Sequence, residues 1–348
     1  MLYVTTRGTQ DAFTAYRTAH QDCGPDGGLF VPMQMPVFDQ QGVLKLSENS
    51  FGKNVADILN LLFGTKITDW NVDVTIGRRV FIAKAAGHRT LMGQLWNDIH
   101  KESFQSILRS LAGLVSSDLP HTTPVYNWLE IGVRIAVIFA IFGELLATEQ
   151  ISREKGVDVA VATGSFAMPM ALWYARRMGL PINTVICGCN ENGIVWDLLH
   201  RGAADTGVLA VKTTTPESDF SVPPNLERLI HATLGHEEAL RFWWTCTEGR
   251  NYTLTETDTV TLNDKMFAAV VSMNRVSTII PSVYRTNRYV LDPYGALAYG
   301  ALSDYRASTG SVGPALVLSE KSPLCETALV AKYMRISPEE LPRILSEG

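Results

Sequence analysis

The chain has 348 residues, long enough for two domains with cores of their own. Hydrophobic residues make up 46% and charged residues 19%, which excludes a disordered chain. The formal net charge of −5 argues against a nucleic-acid partner or an anionic membrane surface, and neither is expected.

In chain order, residues 1–68 read as a small N-terminal unit and 69–348 as an α/β core. Cys23 to Pro32 is turn-rich around Pro25-Asp26-Gly27-Gly28. Asn54 to Leu62 is an amphipathic helix with Val55, Ile58, Leu59 and Leu62 on one face. Val72 to Ala86 alternates around Gly77 and predicts one or two strands. Leu91 to Leu114 predicts a helix, which the segment Pro120 to Tyr126 ends. Trp128 to Ala147 predicts a long apolar helix. Its most apolar part, from Ile135, is bounded by Arg134 and interrupted by Glu144, too short to cross a bilayer.

The organising unit is Val157 to Asn192, read as strand, turn, helix, strand. Val157 to Thr163 is a β-branched run of the kind buried on both faces of a parallel sheet. Thr163-Gly164-Ser165 makes a turn, Pro169 suits a first helical turn, and Gly179-Leu180-Pro181 ends the helix. Thr184 to Cys187 is the next strand. Such a unit aims backbone N–H groups of a helix start at the strand's carboxyl end, which favours an anion. Ala203 to Pro224 reads as irregular. Leu226 to Leu234, Glu237 to Thr245, Asp264 to Val276, Gly295 to Ser308 and Leu324 to Met334 read as helices, and Ala315 to Ser319 as a strand. The alternation predicts an α/β fold with a parallel sheet.

The five cysteines, Cys23, Cys187, Cys189, Cys246 and Cys325, are few, odd in number and scattered. They imply a reduced, cytoplasmic setting, and the opening MLYVTTRG has no apolar signal region. Cys187-Gly188-Cys189 is too tight for a zinc pair, and His231 and His236 do not share a helical face, so no metal is expected. His88 and His100 read as surface or cap residues. Phe242-Trp243-Trp244 reads as core or interface.

Several stretches together resemble the threonine synthase family. They are Tyr3 to Gly8, Gly24 to Pro32, Asn127-Trp128, Val161 to Asn192, Thr215 to Phe220, Pro224 to Leu229, and Asp292-Pro293-Tyr294-Gly295-Ala296, in the family's order. The resemblance implies a tryptophan-synthase-like fold, type II among pyridoxal-phosphate enzymes, with the family's N-terminal domain. It also implies an enzyme that converts O-phosphohomoserine to threonine and phosphate through a cofactor-bound lysine.

The segment that holds that lysine in the family, like Phe-Lys-Asp-Phe, is not found. A block between roughly Lys66 and Asp73 reads as absent, and with it much of the smaller, mobile cofactor domain. One alignment places Lys84 on the family lysine. The favoured, gap-free one matches Thr75 to Gly87 to a later strand, where Lys84 has no catalytic role. The remaining lysines, Lys45, Lys53, Lys66, Lys101, Lys155, Lys212, Lys265, Lys321 and Lys332, read as solvated side chains. The family's phosphate loop, Ser-Gly-Asn-Phe-Gly, is Thr163-Gly164-Ser165-Phe166-Ala167 here, and Ala167 restricts close backbone approach. Ser319 stands where a family threonine meets the pyridine nitrogen, and Tyr294 where the family has histidine.

The expectation is a shortened threonine synthase-like protein without lysine catalysis, and so a pseudoenzyme, reused to bind a small anion or amino-acid-like ligand, as an accessory, or for a different reaction in amino-acid metabolism. Its degenerate cofactor site is Gly164, Ser165, Phe166, Ala167 and Ser319, and no cofactor is expected. One alternative is an active pyridoxal-phosphate lyase with a displaced lysine, Lys84. Another is an interaction subunit that pairs with itself or with a complete homologue.

Overall fold

The computed structural model describes residues 1–8, 11–77, 81–87, 89–96, 104–116 and 124–347. The chain opens with β1 (Leu2–Thr5), β2 (Phe13–Thr14), α1 (Ala15–His20) and β3 (Phe30–Pro32). The three strands form an antiparallel sheet in the order β2-β1-β3. There follow α2 (Gln40–Glu48), α3 (Phe51–Phe63), α4 (Asp69–Ile76), β4 (Ile82–Ala85), β5 (Thr90–Gln94), α5 (Phe104–Val115) and α6 (Trp128–Ala147). Next come β6 (Val157–Ala162), α7 (Ala167–Arg177), β7 (Ile182–Cys189), α8 (Ile194–Arg201), β8 (Ala203–Asp205), α9 (Leu226–Leu234) and α10 (His236–Thr247). The chain ends with β9 (Asn251–Thr253), α11 (Glu256–Leu262), β10 (Met266–Val270), α12 (Met273–Asn287), α13 (Pro293–Thr309), β11 (Ala315–Ser319), α14 (Thr327–Met334) and α15 (Leu341–Glu347).

The central sheet has six strands in the order β10-β7-β6-β11-β5-β4. All neighbours run parallel except β4, which pairs antiparallel with β5 at one edge. Alternate residues of each strand feed two cores. Val157, Val159, Val161, Leu316 and Leu318 pack with α6, α7 and the N-terminal helices. Ala160, Ile186, Val317 and Met92 pack with α12 and α13 on the other face. A sheet covered on both sides requires strands that are largely apolar on both faces, as Val157 to Ala162 is apart from Asp158 near its start.

The helix α6 is buried nearly all round, which explains its uniformly apolar sequence. Its two inward charges, Glu130 and Arg134, neutralise each other as an i,i+4 pair. The N-terminal sheet is tied to this layer by Tyr3, whose buried hydroxyl donates to the Leu62 carbonyl of α3 at 2.6 Å.

Several expectations need correction. Residues 69–76 form a helix, not a strand, because Thr68 and Asn71 make a reciprocal capping box and Gly77 closes the other end at φ 77°. Only Val72 of this helix is buried, so the alternation of valines carried no strand signal. Leu91 lies in an inner strand, β5, and the described helix of that region is Phe104–Val115. Met266 to Val270 is the edge strand β10, and the helix runs from Met273 to Asn287 instead. Both misread segments are short apolar runs, in which helix and strand periodicities cannot be told apart. Residues 97–103, 117–123 and His88 lie outside the described residues, and with them Ile99, His100, Lys101 and Pro120.

Candidate site at the carboxyl edge

Five parallel strands bring their carboxyl ends to one edge, and the loops there carry the polar groups. After β6, Thr163 donates its hydroxyl to the Gly188 carbonyl at 2.8 Å, and Phe166 N–H closes the turn on the Thr163 carbonyl at 2.9 Å. The residues with left-handed backbone are Gly164, at φ 50°, and Phe166, at φ 65°, while Ala167 is already helical. The alanine therefore costs the loop no backbone conformation, contrary to the expectation for it. Asn225, fully buried, grips the Ser165 carbonyl with both its backbone N–H at 3.2 Å and its side-chain Nδ2 at 2.9 Å.

This arrangement leaves donors without acceptors. Among the described residues, the N–H groups of Gly164 and Ser165 have no hydrogen-bond partner, and no side chain caps α7. Nearby, the Ser218 hydroxyl is 5% exposed and also lacks a partner. Its neighbour Glu217 places a carbonyl 3.9 Å from the point where a Cβ on Gly164 would stand. A buried orphan hydroxyl beside free amides at a helix N-terminus is a layout suited to an anion.

The Ser218 segment is held over the loop by a polar knot at the end of β7. Asn190 Nδ2 has Thr213 Oγ1 and Thr215 Oγ1 at 3.0 Å each and Asp219 Oδ1 at 2.8 Å within reach of its two hydrogens. Asn192 Nδ2 adds Asp219 at 3.2 Å and the Val211 carbonyl at 2.9 Å. The sequence offered Asn190-Glu191-Asn192 and Thr215 to Phe220 as separate stretches. Their joint role is a distance relation that no spacing along the chain reveals.

At the end of β11, Ser319 is 2% exposed and fully engaged. It accepts from Trp96 Nε1 at 3.0 Å, and its own hydrogen has Asp292 Oδ2 at 2.9 Å and the Lys321 carbonyl at 3.1 Å within reach. Asp292 caps α13 by accepting from Tyr294 N–H at 2.8 Å and Gly295 N–H at 3.1 Å. Burial raises its carboxyl above the usual range, although these bonds pull the other way. Two residues on, Lys321 pairs with Glu217 at 2.6 Å and sits 4.6 Å over the Tyr294 ring. Burial opposes the charge, but the Glu217 bond and neighbouring negative charge outweigh it and hold the ammonium above its ordinary value. Burial pushes the Tyr294 phenol up to about 12.

The predicted site residues therefore fall into two places. Gly164, Ser165, Phe166, Ala167 and Ser319 share the carboxyl edge. Lys84 stands apart from the loop after β6. It lies on the edge strand β4 opposite Met92, three strands from β6, about 14 Å away at the usual strand spacing. It lines a small cleft with Gln94, Trp96, Arg288 and Tyr289, and this Trp96 is the one that donates to Ser319. Lys321, read from sequence as a solvated side chain, stands at the carboxyl edge. No linear motif marks it, since its partners are 104 and 27 residues away.

Cys187 and Cys189 are buried, and burial raises both thiols, Cys189 to about 11. They serve as core, with Cys189 Sγ 3.2 Å from the Thr163 hydroxyl oxygen. Among the described residues no three His, Cys, Asp or Glu side chains converge, and no helix is long and apolar enough to cross a membrane.

The comparisons with known proteins agree with this geometry. Residues 2–78 match the family model described as the threonine synthase N terminus. Threonine synthase-like 1 of Homo sapiens is 28% identical over 175 residues, 49% of this chain and 24% of that protein. The threonine synthase of Pseudomonas aeruginosa is 28% identical over 184 residues, 52% of this chain and 38% of that one. The chain thus spans about a quarter to two fifths of the length of these curated relatives. The structure of PLP-bound threonine synthase from Brucella melitensis superposes with a TM-score of 0.83 at 18% identity, covering 96% of this chain and 91% of that one. Yeast threonine synthase superposes with a TM-score of 0.81 at 17% identity, covering 99% and 94%.

The fold is that of the threonine synthases, the type II architecture of pyridoxal-phosphate enzymes. In sequence the chain is similar to the threonine synthase N terminus over residues 2–78, and to threonine synthases and threonine synthase-like proteins over about half of its length.

Pyridoxal phosphate, which the fold family implies, can be tested against the residues present. The phosphate half finds free amides at Gly164 and Ser165. The ring half meets Ser319 already closed between Trp96 and Asp292. An amine that bonds to a carbonyl must lose its proton, and Lys321 is held charged by Glu217. The ring and lysine halves do not fit.

Proposed function

We propose that this protein is a threonine synthase-like ligand-binding protein that holds a small phosphate-bearing, amino-acid-like molecule at the carboxyl edge without lysine catalysis. The observation that carries this reading is that unpaired donors, Gly164 N–H, Ser165 N–H and Ser218 Oγ, and the ion-paired Lys321 are linked through the Glu217-Ser218 segment. Backbone donors and an ammonium recognise an oxyanion and need no covalent bond to do so. The relatives named as threonine synthases support the amino-acid class of the ligand.

The test is calorimetric titration with O-phospho-L-homoserine and, separately, homoserine. Only the phosphorylated compound binds, and Lys321→Gln weakens it about tenfold, the value of one charge-assisted hydrogen bond. Equal binding of homoserine, or no binding of either, contradicts the reading. The second reading, an active lyase with a displaced lysine, draws on Lys321 standing at this edge. It requires covalent capture of the cofactor there.

A further inference from the structure

The opposite edge of the sheet carries a second concave surface. The loops entering the parallel strands at their amino ends form a cleft lined by Arg89, Lys155, Arg176 and Lys265, with Asp158 at its floor. Behind it, Arg306 donates to the carbonyls of Arg89 at 3.3 Å and Gly313 at 3.2 Å and to Thr90 Oγ1 at 2.8 Å. In a chain of net charge −5, these five cations gather on one face. Among the described residues, none of them has a carboxylate within salt-bridge distance, whereas ten other contacts of that kind are made elsewhere.

Complementing helix ends explains part of this. Arg176 and Arg306 sit in the last turns of α7 and α13, where cations offset the negative ends of the helices. Arg89, Lys155 and Lys265 are on no helix. They precede β5, β6 and β10. Arg89 and Lys265 hold φ of 52° and 60°, backbone that glycine adopts without strain. Asp158 is the acidic group at the floor. Ser311 donates to it at 3.2 Å, and burial raises its carboxyl.

The spacing defines the ligand. In the order β10-β7-β6-β11-β5, Lys265 and Arg89 are separated by four strand intervals, about 19 Å. A single phosphate reaches one or two of these cations. A chain of linked phosphates reaches several of them at once, and guanidinium forks favour phosphate oxygens. We infer that the amino edge is a second binding site, separate from the carboxyl edge, for a small molecule carrying an oligophosphate chain.

The experiment is calorimetric titration of the full chain with inorganic tripolyphosphate, with orthophosphate and citrate as controls. Tripolyphosphate binds one to one, and each control binds at least tenfold more weakly. The double variant Lys155→Gln, Lys265→Gln raises the Kd at least tenfold with an unchanged unfolding temperature, because both side chains are exposed. Lys321→Gln, at the other edge, leaves the Kd unchanged. Citrate binding as tightly as tripolyphosphate overturns the phosphate assignment. Absent binding, binding undiminished in the double variant, or binding lost with Lys321→Gln overturns the site. Failure here leaves the carboxyl-edge reading intact, since that rests on O-phosphohomoserine.

Discussion

At the scale of single residues, the loop after β6 depends on Asn225 more than on its own sequence. Asn225 is fully buried, holds Ser165 and the Val125 carbonyl, and accepts from Arg228, itself buried. Asn225→Leu keeps the volume but strips the acceptor from a buried guanidinium. It is expected to destabilise the fold by about 3 kcal/mol, measured by urea unfolding. Ser319→Ala is milder. It leaves Trp96 Nε1 and one oxygen of Asp292 without their partner, at a cost of about 1–3 kcal/mol, while O-phosphohomoserine binding persists. A large loss of ligand affinity in that variant would show that Ser319 faces the ligand after all.

Among the elements, β7 and α13 come together through a glycine. A Cβ on Gly188 would lie 2.4 Å from the Leu297 carbonyl oxygen, backbone against backbone. Gly188→Ala is therefore expected to cost about 3 kcal/mol or to prevent folding, read from soluble yield and thermal melting. The α9–α10 corner carries a pH response. Burial, with a smaller contribution from His236, depresses His231 from 6.5 to about 4. A depressed histidine stabilises the fold above its unfolded pKa, and that stability is lost as pH falls from 6.5 towards 4. The loss is on the order of 2 kcal/mol, and a His231→Phe variant shows a correspondingly flatter stability curve over that window.

The same scale shows what the sequence could tell. The helix α6 was readable to its ends because Asn127 caps it and apolar residues dominate all of its turns, with Glu130, Arg134 and Glu144 as the exceptions. β6, the turn and α7 were readable because β-branched run, glycine and proline occur in sequence. α4 was not, since its capping box was overshadowed by alternating valines, and β10 was not, since five apolar residues suit either period. Of the site, the phosphate loop and Ser319 were visible as motif remnants. Lys321, Ser218 and the Asn190–Asp219 knot were not, because each gains its role from chain segments brought together only by folding.

For the whole molecule, one sheet presents two unlike edges. The carboxyl edge combines free amides, an orphan hydroxyl and one paired lysine, whereas the amino edge carries unpaired cations across its width. The central claim is that the first edge retains an anion cradle and lacks the amine chemistry of its relatives. Its most direct test is titration of the full chain with pyridoxal phosphate, followed by borohydride reduction and peptide mapping. The account predicts no visible aldimine band and no lysine peptide carrying a reduced pyridoxyl group. A stoichiometric label on Lys321, Lys84 or any other lysine, with a matching absorbance band, would contradict it.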